Sequence, residues 1–190
     1  MSAILSLMAM AALGQPKPMP TKPLSFAIVT TSQENKQIPE AGAVATVLVF
    51  MTVDCPIANR YSPEISRLAT EFGAKRVAFY RVYVDTSVKP DAIERHGKEF
   101  KYPCPAFVDT KHAVVNAIGA TVTPEAAVLD SKGILRYRGR IDDRYVEHGK
   151  PPKTEYRRDL REAVLEVLAG KEVSVKQMPA IGCSIPEIEN

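Results

Sequence analysis

The chain has 190 residues and a mass of 20.8 kDa, a length that suits one domain with tails and argues against a tandem architecture. With 45% hydrophobic and 25% charged residues, the composition is globular and excludes disorder throughout. The 25 basic and 22 acidic residues leave a charge of +3 and are interleaved rather than blocked, so no basic footprint for nucleic acid stands out.

Residues 1–14 read as a signal peptide. The apolar run Ala3 to Leu13 ends in Ala12-Leu13-Gly14, the small-x-small form of a secretory cleavage site, although only the terminal amine charges its front. That run is too short to span a bilayer, which takes about 20 residues. The expectation is an exported protein, periplasmic or extracellular, in a compartment where disulfides persist. Residues 15–24 carry four prolines and form an extended leader.

A domain over residues 25–170 follows. Ser25 to Thr30 has a strand pattern, and Ala45 to Met51 is apolar on both faces, as a central buried strand is. Pro56 opens a helix in which Ile57, Tyr61, Ile65, Leu68 and Phe72 line one face up to Gly73. Val77 to Val84 is a strand, Lys89 to Phe100 a helix opened by Pro90, Ala106 to Asp109 a strand and Ala113 to Ile118 a short helix. Glu125 to Leu129 and Ile134 to Ile141 form a hairpin around Asp130-Ser131-Lys132-Gly133. A last helix, capped by Thr154, shows Leu160, Ala163, Val164, Val167 and Leu168 on one face and stops at Gly170. The order predicts an α/β fold, a mixed β-sheet flanked by helices, with its chemistry beyond the carboxyl ends of the parallel strands. Residues 171–190 are an extended C-terminal tail carrying Cys183.

Three cysteines are too few for a disulfide framework, and the odd count leaves at least one thiol free or distinct. Cys55 stands at the entrance of the first helix, four residues past the buried strand, where unpaired backbone N–H groups stabilise a thiolate. The adjacent Asp54 opposes that anion. An inert buried thiol is the alternative, but a strand-to-helix loop at the carboxyl edge of a sheet favours function.

The strand, Cys55-Pro56, the helix, and Thr123-Pro124 leading into the hairpin together resemble the thioredoxin fold over about residues 25 to 170. More narrowly, Asp-Cys-Pro-Ile-Ala-Asn-Arg-Tyr at 54–61, Thr-Pro-Glu at 123–125, Tyr-Arg-Gly-Arg-Ile-Asp-Asp at 137–143 and Gly-Cys-Ser-Ile at 182–185 resemble peroxiredoxin-like redoxins. These belong to the alkyl hydroperoxide reductase and thiol-specific antioxidant superfamily. The resemblance implies thiol-disulfide or peroxide chemistry, with Cys55 at the first redox cysteine and Pro124 at the cis-proline. It also implies that the Thr123 backbone pairs with an extended substrate.

Departures from the pattern limit the chemistry. Ala58 stands where a Cys-x-x-Cys dithiol has its second cysteine, so another thiol must resolve a mixed disulfide on Cys55. Thr52-Val53-Asp54-Cys55 supplies half of a peroxiredoxin site, but Leu48 occupies its proline position and Thr123 stands where an arginine would precede the hairpin. Peroxide turnover should therefore be slow. Cys183 is the candidate resolver, since the tail from Lys171, at about 3.3 Å per residue, can cross a small domain. A structural Cys55–Cys183 bridge is equally open, and closing so long a loop is worth up to roughly 5 kcal/mol. Cys104, held between Pro103 and Pro105, suits a buried or free thiol better than a second resolver.

Arg136, Arg138 and Arg140 alternate along one strand, a pattern that suits charges guarding an edge strand better than a patch for an acidic partner. Asp142 and Asp143 suit loop acceptors. His96, His112 and His148 have no ligand spacing, and Asn59 replaces the second cysteine of a Cys-x-x-x-Cys copper site, so no metal site is expected. The expected function is an exported thiol-disulfide oxidoreductase with Cys55 as nucleophile and Cys183 as resolving or bridging thiol. Thr123 and Pro124 bind the substrate, and no cofactor is needed. The partners are a protein or small-molecule disulfide or peroxide and a thiol reductant. The alternatives are a non-catalytic redoxin-fold module stapled by Cys55–Cys183 that binds a partner, and a slow peroxidase.

Overall fold

The computed structural model describes residues 18–145, 147 and 150–188; the signal-peptide stretch and His148 lie outside them. The elements in chain order are β1 (Phe26–Val29), β2 (Asn35–Ile38), β3 (Ala45–Met51), α1 (Pro56–Arg60), α2 (Ser62–Gly73), β4 (Val77–Tyr83), α3 (Pro90–Glu99), β5 (Ala106–Val108) and α4 (Ala113–Ile118). They continue with β6 (Val122–Thr123), β7 (Glu125–Asp130), β8 (Leu135–Gly139), α5 (Asp159–Leu168), β9 (Gln177–Met178) and β10 (Cys183–Ser184).

Six strands form the central sheet in the order β5-β4-β3-β7-β8-β9. β3, β4 and β5 run parallel to one another, β7 is antiparallel to β3 and β8, and β9 is parallel to β8. Every residue of β3 is buried, because alternate side chains enter opposite layers. Val47 and Val49 meet Ile65, Leu68 and Phe72 of α2 and Leu160 and Val164 of α5, while Leu48 and Phe50 meet Val114, Val115 and Ile118 of α4. That double coverage explains its unbroken apolar run.

Four local expectations are corrected. The segment from Ser25 joins a separate antiparallel hairpin with β2, outside the main sheet. The helix from Pro56 is two helices joined at Tyr61, because Pro63 has no N–H to offer the Asn59 carbonyl; the Ser62 hydroxyl donates to that carbonyl instead, at 2.7 Å. The last helix begins at Asp159, with Arg158 at its N-cap and no side-chain cap, so Thr154 caps nothing. Hydrogen bonds from Arg157 N to Asp143 Oδ1 (2.5 Å) and from Lys153 N to the Arg144 carbonyl (2.9 Å) pin the preceding loop first.

Finally, β8 is no edge strand. β9 covers its far side, and the three arginines, two in β8 and one just beyond it, are engaged in ion pairs: Arg136 with Asp130 at 2.8 Å, Arg138 with Glu125 at 3.7 Å and Arg140 with Asp159 at 2.7 Å. The Asp130–Gly133 turn forms as expected, with the Asp130 carboxylate accepting from Lys132 N and Ile134 N. No helix among the described residues is long and apolar enough to cross a membrane.

Candidate active site

β3 ends at Met51, and the loop from Thr52 delivers Cys55 to the N-cap of α1, beyond the carboxyl ends of β3 and β4. Cys55 is only 1% exposed. Its Sγ accepts from Ala58 N at 3.5 Å. The carbonyl of Thr123 lies 3.0 Å away and takes the S–H when Cys55 is protonated. The Thr123–Pro124 peptide is cis, as the resemblance implies.

The tail brings the third component. β10 pairs antiparallel with β6, Cys183 opposite Thr123 and Ser184 opposite Val122, and Cys183 Sγ lies 2.8 Å from Cys55 Sγ across 128 residues of sequence. Both are free thiols. Burial pushes the Cys55 thiol up, but its hydrogen-bonding contacts with Cys183 and with Ala58 N outweigh that and hold it below the ordinary value of 9.0. Cys183 is pushed up to about 11 by desolvation, by its bond to Cys55 and by the nearby charges of Cys55 and Asp54. Of the pair, Cys55 is the more readily ionised thiol and Cys183 the less. The exposed Asp54 contributes to raising Cys183.

Two supports went unrecognised in the sequence. The carboxylate of Glu125, next to Pro124, accepts from Thr121 N at 2.8 Å and Val122 N at 3.4 Å, and so holds β6 in place. Behind the Cys55 loop, the Asn59 amide donates to the Val53 carbonyl at 3.0 Å, leaving Asn59 Oδ1 to accept from His96 Nε2 at 2.8 Å. His96 Nδ1 must then accept from the Tyr83 hydroxyl (2.7 Å), which in turn accepts from Arg81 Nη1 (2.9 Å). One tautomer satisfies the whole chain, and it is neutral. Burial and Arg81 hold the His96 pKa down, consistent with that state. The only sequence signal was Asn59 within the 54–61 segment; His96 looked scattered.

The remaining candidates lie elsewhere or act structurally. Asp142 Oδ1 accepts from Tyr61 Oη at 2.6 Å, tying the α1–α2 junction to the end of the hairpin. Cys104 is buried, and its carbonyl accepts from Arg81. His112 Nε2 donates to the Val84 carbonyl at 2.7 Å. Among the described residues, no group of three His, Cys, Asp or Glu side chains could hold a metal ion.

A mixed sheet flanked by helices, with a helix-entrance cysteine facing a cis-proline, defines the thioredoxin-like fold. Residues 20–138 match the AhpC/TSA family model, and the chain belongs to that family, as a redoxin of the thioredoxin-fold AhpC/TSA superfamily. It is similar to an uncharacterized conserved protein from Geobacillus kaustophilus at 27% identity and TM-score 0.78, over 94% of this chain and 100% of that one. A hypothetical protein from Sinorhizobium meliloti 1021 is similar at 25% identity and TM-score 0.75, over 88% and 93%. A secreted Mycobacterium tuberculosis disulfide oxidoreductase homologous to E. coli DsbE shares the fold, at 15% identity and TM-score 0.54, over 76% and 95%. A sequence search of curated proteins gave no match. The family match ends before Cys183, whose position beside Cys55 comes from the pairing of β10 with β6.

Proposed function

We propose that the protein is an exported thiol-disulfide oxidoreductase in which Cys55 attacks and Cys183 resolves. The Cys55 thiolate attacks one sulfur of a protein or small-molecule disulfide, forms a mixed disulfide and expels the other sulfur as a thiolate. Cys183 then loses its proton and attacks Cys55 Sγ, releasing the second substrate thiol and leaving a Cys55–Cys183 disulfide. Two electrons pass from the dithiol to the substrate, and an external thiol reductant restores the starting state. Thr123 presents backbone to the substrate beside Cys55. The observation that carries this reading is the 2.8 Å approach of Cys183 Sγ to Cys55 Sγ, with the lowered thiol on Cys55 and the raised one on Cys183. Export rests on the apolar run ending in Ala12-Leu13-Gly14, and the secreted mycobacterial protein of the same fold is in keeping with it.

Trapping tests the assignment. Incubated with oxidised glutathione, the Cys183→Ser variant is expected to accumulate a glutathione adduct on Cys55, seen by mass spectrometry, whereas the wild type expels glutathione and bridges to Cys183. No adduct in the variant, or a persistent adduct in both proteins, removes Cys183 from the mechanism and favours a permanent staple.

A further inference from the structure

A nucleophile that is 1% exposed cannot meet a substrate disulfide until something moves, and the tail thiol stands 2.8 Å from its sulfur. Cys183 and Ser184 form a two-residue ladder on β6, and Ile185 N donates to the Thr121 carbonyl at 3.1 Å. Side chains alternate across this strand. Cys183 turns toward Cys55, Ser184 is exposed, and Ile185 packs against the layer containing Leu48, Phe50 and Val115. The backbone approach is close at Gly182, where a Cβ would fall 2.1 Å from the Thr123 carbonyl oxygen and 3.1 Å from Pro124 N. Only glycine fits there.

We propose that Gly182–Ile185 is a resident mimic of the substrate. It adds a second strand to β6, as an extended polypeptide substrate would by strand addition, and that strip selects a chain with glycine directly before the cysteine and an apolar residue two positions after it. Tail and substrate then compete for one site. The substrate displaces the tail, Cys55 attacks, and the tail returns to bring Cys183 back for resolution. A ladder this short can be exchanged by local opening, without unfolding the domain. This selectivity rests on the reading of Cys55 as the reacting thiol, but the occupancy of β6 can be measured without any disulfide chemistry.

The test uses the reduced full chain, with brief iodoacetamide labelling and mass spectrometry to follow Cys55. Gly182→Ala and Ile185→Asp each detach the tail, and each is expected to speed Cys55 labelling by at least about tenfold at unchanged circular dichroism. A synthetic peptide of residues 179–188 carrying Cys183→Ser, added to the Ile185→Asp protein, is expected to return labelling saturably to the wild-type rate. The same peptide carrying Gly182→Ala as well is expected to give no protection. Equal labelling of wild type and both variants, or equal protection by the two peptides, overturns the proposal. Neither result depends on glutathione trapping: lost trapping with intact peptide protection refutes the resolving role of Cys183 and leaves the substrate strip, whereas the reverse refutes the strip alone.

Discussion

Cys55 and Cys104 are both withdrawn from water, at 1% and 7% exposure, yet their thiols shift in opposite directions. Burial raises Cys104, and Arg81 beside it does not reverse the shift. Burial acts on Cys55 in the same sense and is overcome by the groups that face its sulfur. The surroundings that replace water differ. Donors also face Cys104, the Arg81 side chain and its own N–H, but they do not offset its burial, whereas Cys55 caps α1 and meets the free N–H of Ala58 and the thiol of Cys183. The balance between desolvation and the donors facing each sulfur sets the direction in which each thiol shifts.

The largest expected effect breaks the comparison by deletion. Cys55→Ser should reduce disulfide turnover, followed as insulin or glutathione disulfide reduction, to the uncatalysed background. Cys104→Ala should stay within about twofold of wild type and lose stability on the order of 1 kcal/mol from the vacated volume. A Cys104→Ala variant without activity would place the wrong thiol at the centre.

A smaller effect sharpens the contrast through pH. Because the folded pKa of Cys55 lies below its unfolded value, its ionisation contributes stability that is present above the unfolded value and lost as pH falls through the folded one. Cys104 has the opposite sign: its contribution is present below the unfolded value and lost as pH rises through the folded one. Urea denaturation of the reduced protein between neutral pH and pH 10 should therefore show Cys55→Ser losing ground relative to wild type as pH rises, and Cys104→Ala gaining it. Parallel curves would mean that the two thiols sit in equivalent surroundings.

The legible parts of the molecule were those carried by short-range pattern. The apolar run of β3, the helix-entrance position of Cys55 and the Thr-Pro-Glu segment placed Cys55 beside the cis Thr123–Pro124 peptide, because one strand-loop-helix unit and one turn fix them locally. Long-range coverage was not legible. Nothing near Arg138 announces that residues 177–178 will cover its strand, so a buried ion pair looked like an exposed stripe. β6 and β10 have two residues each, too few for any periodicity, and the hydrogen bond from His96 to Asn59 spans 37 positions. The sequence showed that the tail could reach Cys55. The pairing of Cys183 with Thr123 emerges only from the close packing that Gly182 permits.

The reduction potential of the Cys55–Cys183 disulfide tests the central claim most directly. The protein is equilibrated in buffers of graded dithiothreitol redox poise, its thiols are alkylated and the pair is quantified by mass spectrometry. The expected result is a bridge between Cys55 and Cys183, with Cys104 free throughout, at a potential above about −300 mV, where exchange with a thiol reductant is possible. A bridge that includes Cys104, or a Cys55–Cys183 potential well below about −300 mV, the range of structural disulfides, would contradict a redox-active pair.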